Sequence, residues 1–496
     1  MNIATILDMA AEAFGDRVGV VCGKRRLTYA QLRERAHAAA VAIKAANAKY
    51  VALLDVNSPA APIAIFAAAY AGVPFVPLNY RLTRQEINEL VDRVAPAYLI
   101  TSADYQPLIA HRRDVQIVLR DAFLDLPIAP NAIEAGDDPR AVAVQLFTSG
   151  TTGKPKAAIL RHENLMSYIV GTVEFGAAGE DEATIVTVPP YHIAGISAVL
   201  SSTYACRRMV QMENFEPKQW LDACRREQVT NAFLVPTMLA RVVDHLGDGP
   251  SDLPALKAVA YGGGKMPLTT IQRAIKLFPG VDFTNAYGLT ETSSTICVLG
   301  PEDHRAAAGA KDAKIARRLG SVGKPTGAVE IQVRDESGRV LGTEEAGLVF
   351  VRGGQVSGEY LALGSQLDAD GWFPTRDRGF VDDEGYLFLD GRADDVIVRG
   401  GENISPGEIE EVLMTHPAVA DVAVVAMPDE QWGEGVAAAI VLKSDARATE
   451  AELQELVRGK LRSSRVPQRI VFKSALPYND LGKVLRRVIR QEFSAS

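Results

Sequence analysis

The chain has 496 residues, far more than one hydrophobic core accommodates, so we expect at least two domains. Its 47% hydrophobic and 23% charged residues are typical of a globular protein rather than a disordered or fibrous one. The formal net charge of -8 argues against a general nucleic-acid binder, although it leaves room for local basic pockets.

Cysteine spacing and the N-terminal segment indicate the compartment. The four cysteines are Cys22, Cys206, Cys224 and Cys297. They form no Cys-x-x-Cys pair and no metal-ligand spacing, which favours a reducing, cytoplasmic environment. The first residues carry Asp8, Glu12 and Asp16 without a long apolar run, so we expect no signal peptide.

One uncharged stretch, from Val56 to Tyr80, is long enough to span a bilayer. However, four prolines and Gly72 interrupt it, and much of it is alanine. We therefore predict a buried helix from about Pro59 to Ala71, then a short strand that ends at Leu78. No integral membrane segment is expected.

Residues 1 to 140 alternate between helix-like and strand-like patterns. The run Arg26–Leu32 is typical of a strand end, a Thr cap and a helix start. Buried strands are predicted at Val51–Leu54 and Ala97–Ile100. Such alternation indicates a parallel sheet flanked by helices.

A loop dense in hydrogen-bond donors follows the next predicted strand, residues 141–147. Its residues are Thr148, Ser149, Gly150, Thr151, Thr152, Gly153, Lys154, Pro155 and Lys156. Glycines let the backbone present its N–H groups, hydroxyls donate hydrogen bonds, and lysines add positive charge. This pattern predicts a phosphate-binding loop, the alternative being an ordinary polar turn. It is not a Walker A loop, because only two residues separate Gly150 from Gly153.

Two later strands also end in residues suited to a ligand site. A strand at Thr184–Val188 leads to His192, although on spacing alone a structural histidine is the favoured interpretation. A strand beginning at Ala258 runs into Gly262, Gly263 and Gly264. These glycines would let a flat ring approach the backbone, but a simple strand-to-helix turn fits them equally well.

The run Asn285-Ala286-Tyr287-Gly288-Leu289-Thr290-Glu291 contains a complete Tyr-Gly-x-Thr-Glu motif. Together with Thr148–Lys156, the stretch around Asp377, the Asp390–Asp395 run and the Lys483 region, it resembles the adenylate-forming superfamily. That superfamily comprises acyl-CoA synthetases, the adenylation domains of peptide synthetases, and luciferases. The motifs follow the family order over nearly the whole chain.

The resemblance implies an α/β fold. It implies a large N-terminal adenylation domain of layered β-sheets and helices, residues 1–391, which binds ATP and the acid. A small, mobile α+β domain, residues 392–496, is expected to carry the hinge and a catalytic lysine.

The resemblance also implies roles for individual residues. Lys483, Thr290, Glu291 and His192 would be catalytic, with Glu291 holding Mg²⁺. The ATP and AMP site would comprise Thr148, Ser149, Gly150, Thr151, Thr152, Gly153, Lys154, Gly262, Gly263, Gly264, Asn285, Ala286, Tyr287, Gly288, Asp377 and Arg392. The acyl pocket would comprise His192, Ile193, Gly195, Val235, Met238, Tyr261 and Gly263. The CoA channel and hinge would involve Asp394, Gly400, Gly401 and Glu402.

Four residues depart from the family pattern, and two of them, Asn479 and Leu481, are a small departure in which they replace the commoner Thr and Ser of the terminal lysine motif. Arg376 stands where the family usually has Gly, and Arg399 stands where it often has a small residue. The local geometry at Arg376 and the role of Arg399 are therefore open at this stage.

Beyond the predicted boundary, Ser405, Pro406 and Glu408 have the spacing of a capping box that starts a helix through Thr415. The pattern of residues 419–496 predicts the order strand, strand, helix, strand, helix. Gly433–Ala438 has the letters of a dinucleotide fingerprint, but it precedes a predicted strand, so we discount it.

The predicted function is that of an AMP-forming acyl-CoA synthetase using ATP, Mg²⁺ and CoA. The substrate would be a fatty or aryl acid, since no cationic residue stands out in the predicted pocket. A peptide-synthetase role is disfavoured, because the segment His192–Ser197 lacks the Asp that would pair with an α-amino group. The alternatives are an acyl-AMP ligase that loads a carrier protein in trans and a non-catalytic nucleotide-binding homologue. We expect a monomer or homodimer without nucleic-acid partners.

Overall fold

The computed structural model describes residues 1–129, 132–148, 155–479 and 482–494. The chain divides into two compact units. Unit 1 comprises Met1–Leu319, Lys324–Glu330 and Val351–Phe373, and unit 2 comprises Gly320–Gly323, Ile331–Phe350 and Pro374–Ser496. Residues 374–391 thus group with the C-terminal part of the chain, and the domain boundary at residue 391 stays a prediction.

The α-helices follow the chain in order. They are α1 (Ala4–Phe14), α2 (Tyr29–Ala45), α3 (Ala60–Ala71), α4 (Arg84–Arg93), α5 (Arg120–Leu124), α6 (His162–Thr172), α7 (Ile193–Tyr204), α8 (Pro217–Arg226), α9 (Pro236–Leu246), α10 (Leu268–Leu277), α11 (Pro301–Ala308), α12 (Ala313–Ala316), α13 (Pro406–Met414), α14 (Glu450–Arg458) and α15 (Arg486–Ser494). Short 3₁₀ turns lie at Gln106–Leu108, Thr290–Thr292, Arg317–Gly320, Ala393–Asp395 and Ser463–Arg465.

The strands are β1 (Val18–Cys22), β2 (Arg25–Thr28), β3 (Tyr50–Leu54), β4 (Phe75–Pro77), β5 (Ala97–Thr101), β6 (Val115–Leu119), β7 (Val142–Thr148), β8 (Lys156–Arg161), β9 (Ala183–Val186), β10 (Arg208–Gln211), β11 (Asn231–Leu234), β12 (Ala258–Gly262), β13 (Asp282–Leu289), β14 (Ser294–Leu299), β15 (Lys324–Pro325), β16 (Glu330–Arg334), β17 (Gly347–Arg352), β18 (Glu359–Tyr360), β19 (Gly364–Ser365), β20 (Phe373–Val381), β21 (Leu387–Arg392), β22 (Ile397–Arg399), β23 (Glu402–Ile404), β24 (Val419–Asp429), β25 (Gly433–Leu442) and β26 (Arg469–Lys473).

Unit 1 contains two large mixed sheets. The first has the order β15-β14-β13-β12-β11-β9-β10-β1-β2, and its strands from β13 to β1 are parallel. The second has the order β19-β18-β8-β7-β4-β3-β5-β6, with a parallel half from β7 to β6. The parallel sheets flanked by helices agree with the α/β fold predicted from the alternating pattern.

The uncharged stretch forms a core helix of unit 1. Every residue of α3 except the last, Ala71, is buried, and the helix lies in one hydrophobic cluster with α1 and α2. Its small alanines allow such close packing, and Gly72 ends the helix in the left-handed conformation at φ 75°. Among the described residues, no helix is long and apolar enough to cross a membrane. The predicted buried helix and the strand that follows it are thus present.

Unit 2 contains two smaller sheets. One has the order β16-β17-β20-β21, and the other has the order β23-β22-β25-β24, with β26 added beside β25. The order β24, β25, α14, β26, α15 matches the pattern predicted for residues 419–496. β25 begins at Gly433 and runs to Leu442, so the dinucleotide-like letters lie within the strand rather than before it.

The capping box predicted at Ser405 is wrong, although α13 does begin at Pro406. The Ser405 side chain makes no capping hydrogen bond, and its hydroxyl instead donates to the Asp390 carbonyl oxygen at 2.7 Å. The Glu408 carboxylate accepts from Arg465 at 2.8 Å. Tertiary partners therefore outcompete the local pairing that the spacing suggested.

Candidate active site

The predicted acyl and adenine residues follow neighbouring parallel strands of unit 1. β9, β11, β12 and β13 lie side by side in the first sheet, and their carboxyl ends meet at one edge. His192, Val235 and Gly263 follow the first three of these strands in turn, and the run that begins at Asn285 forms the second half of β13. The carboxyl edge of a parallel sheet is the usual place for a ligand in open α/β folds.

The glycines at this edge permit a close backbone approach. A Cβ at Gly262 would lie 2.1 Å from the Ala286 carbonyl oxygen, and one at Gly195 would lie 2.6 Å from the Pro189 carbonyl oxygen. Gly263 has φ 82°, which strains other residues. Gly263 and Gly264 are exposed, so backbone at the end of β12 is accessible to a ligand.

The predicted acyl-pocket residues differ in burial and polarity. Val235 and Met238 are buried apolar side chains, and Ile193 is half-buried at the start of α7. His192 immediately precedes α7, with its ring centroid 4.5 Å from that of Tyr191. The pocket candidates are thus mainly apolar.

Tyr261 is fully buried, and its hydroxyl lies 2.8 Å from His304 Nε2. His304 Nδ1 lies 2.8 Å from the Gly300 carbonyl oxygen, so Nδ1 donates there and Nε2 accepts from the tyrosine. Burial lowers the pKa of His304, which favours this neutral form. The Tyr261 hydroxyl is therefore engaged by the protein itself.

Only the two ends of the predicted phosphate loop are described. Residues 149–154, which include Ser149, Gly150, Thr151, Thr152, Gly153 and Lys154, lie outside the described ranges. Thr148 ends β7, and its hydroxyl lies 3.4 Å from the Lys156 carbonyl oxygen. The two flanking strands pair antiparallel, so the loop connects adjacent strands of the second sheet.

An arginine from α4 contacts both ends of this loop. The Arg93 Nη1 atom donates to the Pro155 carbonyl oxygen at 2.7 Å, and its guanidinium lies 4.7 Å from the centroid of the Phe147 ring. A hydrogen bond and a cation–π contact thus join the entry and the exit of the loop. Sequence reasoning missed Arg93, because it lies far from the loop along the chain and no local motif links the two.

Glu291 lies in the 3₁₀ turn after β13 and is half-buried. The Tyr360 hydroxyl donates to its Oε1 atom at 2.5 Å, and the N–H groups of Ser357 and Gly358 donate to its carbonyl oxygen at 2.9 and 3.1 Å. A hard carboxylate oxygen suits Mg²⁺, which commonly binds one carboxylate together with phosphate oxygens. The residues present therefore fit the predicted metal.

In unit 2, residues from three separate parts of the chain come together. Asp377, 7% exposed, accepts a hydrogen bond from Arg392 Nη1 at 2.9 Å, and Arg392 also donates to the Thr375 carbonyl oxygen at 3.1 Å. Lys483 is in the electrostatic range of Asp377, Arg392 and Asp395. The predicted ribose and phosphate residues of this unit are thus paired directly, and Lys483 is near enough for both charges to act on it.

The surroundings of Lys483 shape its charge. Although the residue as a whole is exposed, desolvation at the ammonium lowers its pKa, and the Arg392 charge lowers it further, while Asp377 and Asp395 oppose this. The Lys483 N–H donates to Asn479 Oδ1 at 2.8 Å, and the Asn479 N–H donates to the Lys483 carbonyl oxygen at 2.8 Å. These bonds fix the backbone that presents the lysine.

The departure at Arg376 has a structural consequence. Arg376 adopts φ 63°, the left-handed conformation in which glycine is unstrained and other residues cost about 1 kcal/mol. Its Nη1 atom lies 3.8 Å from Asp394 Oδ2, the predicted hinge residue. Arg376 thus adopts a conformation that glycine would take without strain, and it adds a weak ion pair.

The predicted CoA-channel residues follow the 3₁₀ turn that contains Asp394. Gly400 and Gly401 have φ values of 58° and 84°, and a Cβ at Gly400 would lie 2.6 Å from the Trp432 ring. The Glu402 carboxylate pairs with Arg465. Arg399, whose role was open, donates to the Ser464 carbonyl oxygen at 3.2 Å and lies 5.6 Å from the Trp432 ring centroid.

Tyr360 is a second residue that sequence reasoning missed. It ends the run Gly353–Tyr360, whose three glycines mark an unusual loop after β17. That glycine content was the available signal, but nothing in the run indicated a contact with Glu291.

Comparison with protein families gives two matches. The model of the AMP-binding enzyme family matches residues 7–361, and the model of the AMP-binding enzyme C-terminal domain matches residues 408–483. The first alone covers well over half of the chain.

Individual relatives are similar over nearly their full length. A 2-succinylbenzoate–CoA ligase of Bacillus cereus is 31% identical, with 96% of this chain and 95% of the relative covered. A fatty acid–[acyl-carrier-protein] ligase, ScoC, of Streptomyces coeruleorubidus is also 31% identical, with 96% and 93% covered.

Among solved structures, the o-succinylbenzoate CoA synthetase of Bacillus subtilis with its acyl-adenylate intermediate has a TM-score of 0.85 and 28% identity, covering 98% of this chain and 97% of that one. The same enzyme in complex with ATP and a magnesium ion has a TM-score of 0.83, with 98% of each chain covered. The predicted fold class and family are confirmed: the chain belongs to the AMP-binding enzyme family, the adenylate-forming ligases that its motifs resemble.

Proposed function

We propose that this chain activates a carboxylic acid with ATP and transfers the acyl group to CoA. The observation that carries the proposal is the cluster of Asp377, Arg392 and Lys483 in unit 2. Three motif residues that are far apart in sequence are gathered there, in a chain that is 31% identical to a CoA ligase over 96% of its length.

The chemistry follows from the charges involved. A carboxylate is a poor acylating agent, because its oxygen must first become a good leaving group. The acid oxygen attacks the α-phosphorus of ATP, the bond to pyrophosphate breaks, and acyl-AMP forms. The CoA sulfur then attacks the acyl carbonyl and AMP leaves. Two anions meet in the first step, so positioning and charge neutralisation dominate catalysis.

Each residue of the unit 2 cluster has a role in this scheme. Lys483 would bridge the acid carboxylate and the α-phosphate, and its lowered pKa reflects the desolvation that strengthens such contacts. Asp377 would accept the ribose hydroxyls, held in place by Arg392. Bound Mg²⁺ would offset phosphate charge, with Glu291 as the protein ligand.

The unit 1 residues would bind the rest of the substrates. Thr148 and the loop that follows it would hold the β- and γ-phosphates, while Gly262–Gly264 and Tyr287 would contact adenine. Thr290 would donate to the α-phosphate. His192 would stand beside the acyl group and the CoA channel.

The acid would be an aryl or fatty acid. Val235, Met238 and Ile193 are apolar, and the Tyr261 hydroxyl is engaged by His304. The two relatives named above act on one acid of each kind. A panel of aryl and fatty acids with ATP and Mg²⁺, read by pyrophosphate release, should show at least one acid that is turned over. No release with any acid would contradict catalysis and favour a non-catalytic nucleotide-binding homologue.

A second candidate function is an acyl-AMP ligase that loads a carrier protein. The ScoC relative, named as a carrier-protein ligase, supports it. After an acid is identified, the acyl acceptor should be tested with CoA and with a phosphopantetheinylated carrier protein in parallel. Thioester formed only on the carrier would replace the first proposal by the second.

The compartment and the domain motion belong to the same proposal. The described cysteines are free, and Cys206, Cys224 and Cys297 are buried, which suits a reducing cytoplasm. The small domain, residues 392–496, would turn about Asp394 between the two half-reactions, with Gly400, Gly401 and Glu402 then lining the CoA channel.

A further inference from the structure

The segment Gln355–Tyr360 surrounds Glu291 with contacts that the motifs did not indicate. Gln355, 2% exposed, donates from Nε2 to the carbonyl oxygens of Thr292 and Thr295 at 3.0 and 2.8 Å. Together with the Ser357 and Gly358 N–H groups, these bonds hold the backbone at Glu291 and in the residues that follow it. These backbone contacts leave the orientation of the Glu291 carboxylate to be set by other groups.

Tyr360 restrains that carboxylate. Its hydroxyl donates to Oε1 at 2.5 Å, the distance of a charge-assisted O–H···O⁻ bond. Within the described part of the chain, Tyr360 supplies the side-chain donor to Glu291. One carboxylate oxygen is thus oriented by the protein, which sets the direction of the other.

The same tyrosine is tied to the phosphate loop. β18 pairs antiparallel with β8, with Tyr360 opposite Ala158. Lys156, the first residue after the loop within β8, places its Nζ atom 5.6 Å from the centroid of the Tyr360 ring. One side chain therefore contacts both the predicted metal ligand and a cation at the exit of the phosphate loop.

The strand that carries Tyr360 is fixed in register. Glu359 forms a two-point ion pair with Arg161 at 2.8 and 2.9 Å, and the Ser357 hydroxyl donates to the Ile159 carbonyl oxygen at 2.5 Å. A Cβ at Gly358 would lie 2.8 Å from the Leu367 and Phe373 side chains, so this turn requires glycine. Tyr360 is therefore presented from a well-supported element.

We propose that Tyr360 is a positioning residue that orients the Glu291 carboxylate for Mg²⁺–ATP while its ring contacts Lys156. This inference rests on the proposed function, because it takes Glu291 as the Mg²⁺ ligand. Tyr360 acts through Glu291 and touches no reacting atom itself.

The test compares Tyr360→Phe, which removes only the hydroxyl, with the wild-type enzyme and with Tyr168→Phe, the same change on α6. Calorimetric titration of Mg²⁺ into each enzyme with a non-hydrolysable ATP analogue measures metal affinity without turnover. Tyr360→Phe should weaken Mg²⁺ binding about 10-fold, the scale of one hydrogen bond to a charged group. Tyr168→Phe should match the wild type.

Activity gives a second, independent reading. In Tyr360→Phe the Mg²⁺ concentration for half-maximal pyrophosphate release should rise by a similar factor, and saturating Mg²⁺ should restore most of the rate. Conversion of supplied acyl-AMP to acyl-CoA and the melting temperature should not change. A merely structural role would instead lower the melting temperature and both half-reactions.

A double-variant cycle tests the route through Glu291. In a Glu291→Gln background, adding Tyr360→Phe should shift Mg²⁺ affinity by less than about 2-fold, because the oriented charge is already gone. An undiminished shift in that background, tighter Mg²⁺ binding by Tyr360→Phe, or no shift at all would each overturn the inference. If the wild-type enzyme bound Mg²⁺ with the analogue but released no pyrophosphate with any acid, the proposed function would fail while the Tyr360 result stood.

Discussion

The two units hold their predicted site residues by different kinds of contact. In unit 1, Glu291 is held by a hydroxyl and by backbone N–H groups from the segment that contains Tyr360. In unit 2, the charges of the Asp377–Arg392 pair act on Lys483. Hydrogen bonds from uncharged donors are less sensitive to salt than partly exposed ion pairs, which salt screens.

This difference suits the roles that we propose. A residue that binds metal and phosphate in the first half-reaction gains from a permanent scaffold. Lys483, which in our proposal leaves the site between the half-reactions, benefits from contacts that break and re-form with little change in free energy. Added salt should therefore weaken the unit 2 cluster before it affects the contacts of Glu291.

The largest effect is expected from removing the unit 2 cation. Lys483→Ala should reduce acid-dependent pyrophosphate release about 10²-fold or more, the scale of losing a key electrostatic contact. Conversion of supplied acyl-AMP to acyl-CoA should continue at a similar rate. The control is Lys460→Ala, the same change at an exposed lysine that bonds Thr415 in the same unit. Equal loss of both half-reactions would contradict the assignment.

The hinge prediction separates motion from charge. Asp394→Pro fixes φ near about −65°, so it should block the turn and reduce CoA-dependent turnover at least about 10-fold, while acyl-AMP still forms. Asp394→Ala removes only the charge that faces Arg376 at 3.8 Å and should have little effect. Both half-reactions should be measured for both variants, and equal damage in all four measurements would refute the hinge.

A smaller effect is expected at the phosphate loop of unit 1. Arg93→Ala removes the hydrogen bond to Pro155 and the contact with Phe147, so KM for ATP should rise about 3- to 10-fold. Thioester formation from supplied acyl-AMP should be unaffected, since it needs no phosphate loop. Arg84→Ala, on the exposed start of α4, is the control. A matching rise in KM there would point to helix stability instead.

The smallest effect on activity is expected at Asp55, a charge that unit 1 buries completely. Burial raises its pKa to about 6, against the pull of Arg120 at 3.5 Å. The folded state binds this proton more tightly than the unfolded state, so stability falls as pH rises from about 4 to 6. The stabilisation present below pH 4 is lost above pH 6.

At pH 7.5, Asp55→Asn should therefore increase the free energy of unfolding by at most about 3 kcal/mol and raise the melting temperature accordingly. Near pH 4 it should change both quantities little. Melting curves across this range measure the difference, with ATP turnover as the activity control. Destabilisation at pH 7.5 would mean that the Asp55–Arg120 pair contributes more than burial costs.

Much of the site could be predicted because its signals are local. Glycines, hydroxyls and a Tyr-Gly-x-Thr-Glu run at strand ends specify turn geometry and donors within a few residues. The parallel order of β9, β11, β12 and β13 then brings these ends to one edge. The burial of α3 was predictable for the same reason, since its composition alone excludes a polar face.

Contacts between distant segments were decided only by the tertiary structure. Tyr360 reaches Glu291 because β18 pairs with β8, and no local period encodes that pairing. Ser405 bonds Asp390 instead of capping α13, because the folded chain offers a nearer acceptor. Arg376 adopts a left-handed backbone within β20, which its own side chain does not favour. Local chemistry therefore determined which residues serve the site, while long-range packing determined what holds them in place.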